Sequence, residues 1–162
     1  MANVLEVQQL GLLILELCGT YSINELENTF CSNLEPITNI TKIKSYIQSI
    51  RNLNEKFKGV KKINSIINYL ANNSASPMES RLYLKLCGPR HKGLYQCTKL
   101  KMNRPVRISK KAQRIAGQEY IIPDISNVKN KVAIEYDSSQ FHEDSIQGQR
   151  DKRRRDALVN DK

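Results

Sequence analysis

The sequence has no basic leader at its start and no hydrophobic run long enough to cross a membrane. Residues 1–10 contain no Lys or Arg, and the apolar run Leu10–Leu15 ends at Glu16. These absences argue against a secretory signal peptide and against a membrane-spanning helix. We therefore expect a cytoplasmic protein that has no membrane partner.

The cysteines lack the CxxC spacing that is typical of zinc and redox sites. The four of them are Cys18, Cys31, Cys87 and Cys97. Without a signal peptide, this usage indicates reduced thiols in or near a core. Cys87, His91 and Cys97 offer three potential zinc ligands, but no fourth ligand stands at a usual spacing.

Acidic residues are absent from residues 81–114, which carry 11 basic residues. Residues 119–144 reverse this balance with 6 acids and 2 lysines, and residues 150–156 return to 5 basic against 2 acidic. An acidic segment between basic ones suits an enzyme that cuts phosphodiesters, because cations neutralise the phosphates while carboxylates hold a divalent metal. The alternative is a solvated basic surface, and charge alone does not separate the two.

Helical patterns fill residues 4–71, which we predict to be all helix. Within them Ser22-Ile-Asn-Glu25 has the composition of a capping box that opens a helix. The polar segment 72–75 marks a boundary. We therefore predict a small helical unit at 1–75, available for a protein partner or for recognition, and a second domain at 76–162.

Two helices are predicted in the second domain. Ser76-Pro-Met-Glu79 places serine at the N-cap, proline at the first helical position and glutamate at the reciprocal capping position. Gly88-Pro89 is a stop signal for that helix. Residues 146–159 have the pattern of a basic helix, and Ser109 is suited to cap a turn or helix through Ala116.

A β-hairpin is predicted between these helices. Residues 120–125 and 131–137 alternate with a period of two, and residues 126–130 have a turn composition. Side chains of the second strand alternate between two faces. One face is apolar and we expect it to meet the core: Val132, Ile134 and Tyr136. The other face carries Ala133 and two carboxylates, those of Glu135 and Asp137. If the turn closes symmetrically, Asp124 lies opposite Ala133 and beside Glu135.

Asp124, Glu135 and Asp137 would then form a carboxylate cluster with no lysine partner. Such carboxylates repel one another unless a cation is present. Oxygen ligands favour Mg²⁺ or Mn²⁺ over zinc, and either ion would make a nucleophile from bound water. The alternative is a strand face that is charged and has no other role.

The ordered motifs resemble the PD-(D/E)XK nucleases, and most closely their very-short-patch-repair-like branch. The matching elements cover residues 76–162 and follow the family order: Ser76-Pro-Met-Glu79, Pro123-Asp124, Glu135-Tyr136-Asp137, Phe141-His142 and the Asp/Arg-rich segment 150–156. The resemblance implies a restriction-endonuclease-like mixed sheet flanked by helices. It implies an α+β or α/β fold and cleavage of DNA.

The resemblance also implies roles for individual residues. Asp124 and Glu135 would bind the metal, with Glu79 as a further ligand unless capping is its role. Asp137 stands where many relatives have a catalytic lysine, and His142 would share that lysine's task. The alternative for His142 is a surface histidine beside acids. DNA phosphates would be gripped by residues of the last helix: Arg150, Lys152, Arg153 and Arg154.

Two departures from the family pattern favour an alternative function. The lysine is replaced by Asp137, and the chain stops before the strand that follows the last helix in relatives, so we expect an incomplete domain. The alternative is a catalytically inactive DNA-binding or regulatory protein that retains the nuclease fold. For Arg153 and its neighbours, the corresponding alternative is pairing with acids of their own helix.

Overall fold

The computed structural model describes residues 2–24, 26–52, 59–136 and 146–161. For residues 2–6, 51–52 and 146–147 it describes the backbone alone. Over the described residues the protein is α+β, with α-helices and small β-sheets of two or three strands. It divides into two compact units, Met1–Met102 and Asn103–Lys162. The first compact unit ends at Met102, and the domain boundary predicted at 72–75 stays a prediction.

The first unit contains most of the helices. Its elements are α1 (Ala2–Leu17), β1 (Tyr21–Asn24), β2 (Thr29–Ser32), α2 (Ile40–Asn52), α3 (Val60–Ile66), α4 (Pro77–Cys87) and β3 (Lys101–Met102). Gly11 lies where α1 crosses its neighbours, because a Cβ there would lie 3.0 Å from Ile66 and 3.2 Å from Leu84. Since α4 packs against α1, it belongs to this unit.

Strands β1 and β2 pair with each other, so the prediction that residues 4–71 are all helix is wrong. β1 and β2 pair antiparallel with Tyr21 opposite Ser32 and Ile23 opposite Phe30. The Ser22 hydroxyl and the Ile23 N–H both donate to the Glu16 carboxylate, at 3.3 and 2.7 Å. Serine thus bonds back to α1, and the β-branched and aromatic residues around it favour extended backbone. Glu25 lies outside the described residues.

The start and end of α4 agree with the sequence prediction. The Ser76 hydroxyl accepts the Glu79 N–H at 3.2 Å, and Pro77 is the first helical residue. The Glu79 carboxylate accepts the Ala75 N–H at 3.1 Å, one residue before the usual partner in a capping box. The helix ends at Cys87, before Gly88 and Pro89.

The second unit is built around two packed helices. It contains β4 (Val106–Arg107), α5 (Lys110–Ala116), β5 (Tyr120–Ile121), β6 (Ile125–Asn127), β7 (Val132–Ile134) and α6 (Ile146–Asn160). Its core is formed by Ile108, Ala112, Ile121 and Ala157, each at most 3% exposed. Ser109 caps α5 by accepting the Ala112 N–H, as its sequence position predicted.

The predicted hairpin is present, but its first strand is divided in two. β5 pairs with β4, placing Ile121 opposite Val106, whereas β6 pairs with β7. Pro123 lies between β5 and β6, and its missing N–H cannot contribute to a continuous ladder.

The apolar side chains of β7 do not form a buried face as predicted. Val132 and Tyr136 are 44% and 41% exposed. The buried strand of the pair is β6, all of whose residues, Ile125, Ser126 and Asn127, are buried. The apolar contribution of this hairpin to the core therefore comes chiefly from Ile125, which is fully buried.

Candidate acidic site

Asp124 and Glu135 lie at the open end of the β6–β7 hairpin. The ladder pairs Ile125 with Ile134 and Ser126 with Ala133. Continued by one residue, this register sets Asp124 opposite Glu135. The Asp124 carboxylate closes the pair by accepting the Tyr136 N–H at 2.7 Å. Two of the predicted acidic residues are therefore brought together by neighbouring strands.

The register differs by two residues from the predicted one, which had Asp124 opposite Ala133. The turn explains the difference. Residues Val128–Asn130 form a short 3-10 helix, in which Asn127 accepts the Asn130 N–H at 3.2 Å and Lys131 adopts a left-handed conformation with φ 51°. Because side chains alternate with a period of two, a shift of two residues keeps Asp124 and Glu135 on one face.

Arg154 of α6 binds the Glu135 carboxylate directly. One guanidinium nitrogen donates to both carboxylate oxygens, at 3.0 and 3.1 Å, and to the carbonyl oxygen of Ile122 at 3.1 Å. Another lies 3.6 Å from Asp151 of the same helix. The expectation that this cluster has no fixed cation is therefore wrong for Glu135.

Burial raises the pKa of Glu135 even in the presence of this partner. Its side chain is 29% exposed. Removal from water disfavours the ionised form most, Arg154 acts in the opposite direction, and the charges of Asp124 and Asp151 raise the pKa further. One guanidinium thus only partly offsets burial and two neighbouring acids.

The buried hydroxyl of Ser126 belongs to the same hairpin. Ser126 stands two residues after Asp124, and its side chain is 2% exposed. This hydroxyl oxygen has no hydrogen-bond partner. Among the described residues, no other buried side-chain oxygen or nitrogen lacks one. An unpaired buried hydroxyl costs free energy, and it is an oxygen donor close in sequence to the carboxylate pair.

Glu79 belongs to the first unit, where it has a local structural task. It is 8% exposed and accepts the Ala75 N–H at the start of α4. The capping role expected from its position is present. Its predicted role as a metal ligand remains a prediction.

Asp137 and His142, the other two predicted catalytic residues, lie outside the described residues. In the described part of the chain, no group of three His, Cys, Asp or Glu side chains is placed to hold a metal ion. The predicted three-carboxylate cluster includes Asp137 and stays a prediction.

The predicted DNA-binding residues of α6 divide into two kinds. Arg150, Lys152 and Arg153 are exposed, whereas the Arg154 side chain is 30% exposed and bound to Glu135. Sequence reasoning missed this inward contact. A signal existed, because Ala157, one helical turn after Arg154, is a small apolar residue suited to a packed face, and it is fully buried.

No match was found when the chain was compared with models of known protein families, with curated proteins and with solved structures. Over the described ranges, no helix combines the length and the apolar character needed to cross a membrane. The acidic site is therefore interpreted from its own residues.

Proposed function

We propose that the protein is a metal-dependent DNA endonuclease, or a protein derived from one, with a restriction-endonuclease-like fold in its C-terminal part. The observation that supports this most directly is the pairing of Asp124 with Glu135 across neighbouring strands. The order of the flanking motifs and the net charge of +10 also favour it, since a polyanionic substrate needs cations around the acidic site.

The donor set fits a hard divalent cation. Asp124 and Glu135 supply carboxylate oxygens from one face, and burial together with the charge of Asp124 raises the pKa of Glu135 in spite of Arg154. Oxygen-only donors are preferred by Mg²⁺ and Mn²⁺. When bound, such an ion would polarise a phosphate oxygen and acidify a water molecule.

The protein's own side chains would divide the remaining work. Asp124 and Glu135 would hold the ion, and Arg154 would position Glu135 and lie near the phosphate. Arg150, Lys152 and Arg153 would bind the DNA backbone from the exposed face of α6. His142, by its likeness to the family pattern, would move a proton.

Nicking of a supercoiled plasmid tests the proposal. We expect cleavage with Mg²⁺ or Mn²⁺ and none with EDTA. Asp124→Asn keeps the shape of the side chain and removes its charge, so it should abolish cleavage and leave DNA binding intact or slightly stronger. Glu135→Gln should behave alike, while Asp156→Asn on the exposed side of α6 is the matched control and should cleave normally.

Calorimetry of Mn²⁺ binding separates the site from the activity. Wild type should bind Mn²⁺, and Asp124→Asn should lose most of that binding. Glu79→Gln should lose little of it if capping is the main role of Glu79. Equal Mn²⁺ binding by wild type and by Asp124→Asn would refute the acidic site as a metal centre.

A second candidate function is a catalytically inactive DNA-binding protein that retains the nuclease fold. The bond from Arg154 to both oxygens of Glu135 favours it, because a guanidinium already satisfies the carboxylate that a metal would need. DNA binding without cleavage under any metal, together with unchanged binding by Asp124→Asn, would establish this alternative.

A further inference from the structure

An exposed aromatic ring lies among cations at the C-terminal end of α4, in the first unit. We call this surface the α4 cap and define it by Lys85, Arg90, Lys92 and Tyr95. Lys85 and Arg90 are exposed and Lys92 is half-buried. Tyr95 is 60% exposed, although a large aromatic side chain normally gains by burial.

The backbone that carries Tyr95 is fixed to the end of the helix. The N–H groups of Tyr95, Gln96 and Cys97 donate to the carbonyl oxygens of Lys85, Gly88 and Leu86, at 3.0, 2.9 and 2.7 Å. Leu94 packs so closely on Gly88 that a Cβ at residue 88 would lie 2.1 Å from it. Leu94 is thus anchored, and the backbone of its neighbour Tyr95 is held at the surface.

Two of the cationic residues, Lys85 and Arg90, are hydrogen-bonded to the backbone of Tyr95. Arg90 follows the last residue of α4 by three positions, and its guanidinium Nε donates to the Tyr95 carbonyl oxygen at 3.5 Å. Lys85 is the residue whose carbonyl binds the Tyr95 N–H. The backbone of Tyr95 is therefore bonded to cationic residues on both sides of the turn.

These cations are not used in ion pairs. Residues 80–118 contain no Asp or Glu. Over the ranges that the structure describes, Lys85, Arg90 and Lys92 form no salt bridge. Nor are they required to cap α4, because its terminal carbonyls are bound by the N–H groups of residues 95–97. The positive charge is available to a partner.

We propose that the α4 cap binds nucleic acid with unpaired bases, with Tyr95 stacking on a base and Lys85 and Arg90 contacting the flanking phosphates. Cations beside a fixed aromatic ring are the combination that binds single strands, since every base has a face on which a ring can stack. A duplex offers phosphates but keeps its bases stacked on each other. This goes beyond the proposed hydrolysis and does not depend on it.

Fluorescence anisotropy with the full chain in EDTA tests the aromatic part. Binding of a labelled single-stranded oligonucleotide should depend on Tyr95 more strongly than binding of a duplex of the same length. Tyr95→Ala should weaken single-strand binding by at least about fivefold, and Tyr95→Phe, which keeps the ring, should stay within about twofold of wild type. Tyr46→Ala is the control, because Tyr46 is a similarly exposed tyrosine on α2, 67% exposed.

Salt dependence tests the charged part. Lys85→Ala with Arg90→Ala should reduce the slope of log affinity against log salt by about 1.4, or about 0.7 for each single-strand phosphate that is no longer neutralised. Lys44→Ala with Lys61→Ala removes the same charge elsewhere in the first unit and should change the slope little. Melting temperatures of all variants should match wild type, because these side chains are exposed.

Three results would overturn the proposal: single-strand binding unchanged in Tyr95→Ala, an equal loss of duplex binding in that variant, or equal slopes for the two double variants. Binding to anionic vesicles in place of the oligonucleotide would identify a membrane surface and would also overturn it. The outcome is separable from nuclease activity. A chain that cleaves nothing can still show the expected pattern, and a chain that cleaves through Asp124 can fail it.

Discussion

At Glu135, burial and the charge of Arg154 act on the pKa in opposite directions. Because burial raises its pKa above the ordinary value of 4.5, the folded state holds this proton more firmly than the unfolded state. Proton linkage then requires the free energy of unfolding contributed by Glu135 to fall as the pH rises from about 4.5 through the raised pKa.

Chemical denaturation across the acidic pH range measures this effect. Relative to Glu135→Gln, wild type should lose stability as the pH rises through that window and then remain at a constant difference. A relative gain by wild type in this window would mean that the Arg154 ion pair outweighs burial.

Arg153 and Arg154 are adjacent, but we expect their substitution to affect different properties: DNA binding for Arg153 and stability for Arg154. Arg154→Ala leaves a half-buried Glu135 without its cation, so it should destabilise the fold by about 1–2 kcal/mol. Arg153 is exposed, and Arg153→Ala should leave the melting temperature unchanged. On duplex DNA it should lower the salt slope by about 0.9. Comparison of the two variants by thermal unfolding and anisotropy checks both statements.

At the scale of elements, α5 and α6 are joined by a charged cap. The Asp161 carboxylate accepts the N–H of Ser109 at 2.7 Å, and this bond lowers the pKa of Asp161. Asp161→Ala should cost about 0.5–1 kcal/mol, since the N-terminus of α5 loses an anion and an acceptor. Asp156→Ala, on the exposed side of α6, is the control.

The acid limb of unfolding checks the sign of this contribution. A carboxylate with a lowered pKa stabilises the folded state above its ordinary value, here 3.8, and the stabilisation is lost as the pH falls through the lowered pKa. Wild type and Asp161→Ala should therefore converge at low pH. Curves that stay parallel would show that the carboxylate charge is not what joins the helices.

Which elements were predictable depended on how local their causes are. The start of α4 at Ser76, its end before Gly88 and the cap of α5 at Ser109 were all predicted, because each depends on residues within one helical turn. The β1–β2 pair was missed, since Ser22 binds Glu16 of the preceding helix. Its local sequence fitted a helix cap equally well.

The acidic site was predictable to a similar extent. The pairing of Asp124 with Glu135 follows from the period of two, which survives a shift of register. The contact of Arg154 with Glu135 joins residues 19 apart through the packing of α6. Ala157 marks the packed face of that helix, but no local pattern names Glu135 as the partner. The sequence therefore predicted the carboxylates and omitted the cation bound to Glu135.

At the scale of the whole molecule, the acids and bases are segregated along the chain. The net charge is +10, yet residues 1–75 carry a net charge of only +1. The excess of cations in the remainder should make nucleic-acid binding weaken steeply as salt rises. We expect this binding to be micromolar and sequence-tolerant. Binding whose strength does not change with salt would show that this charge is incidental to the protein's role.

The order of synthesis gives the Arg154 contact a further consequence. Glu135 leaves the ribosome before Arg154 does, so a nascent chain carries the carboxylate pair before α6 exists to cover it. The helix that carries this counter-charge also packs into the core through Ala157. Docking of α6 by Ala157 and pairing of Glu135 with Arg154 are therefore expected in the same step, so that the charge of Glu135 gains its partner as the helix closes over the unit.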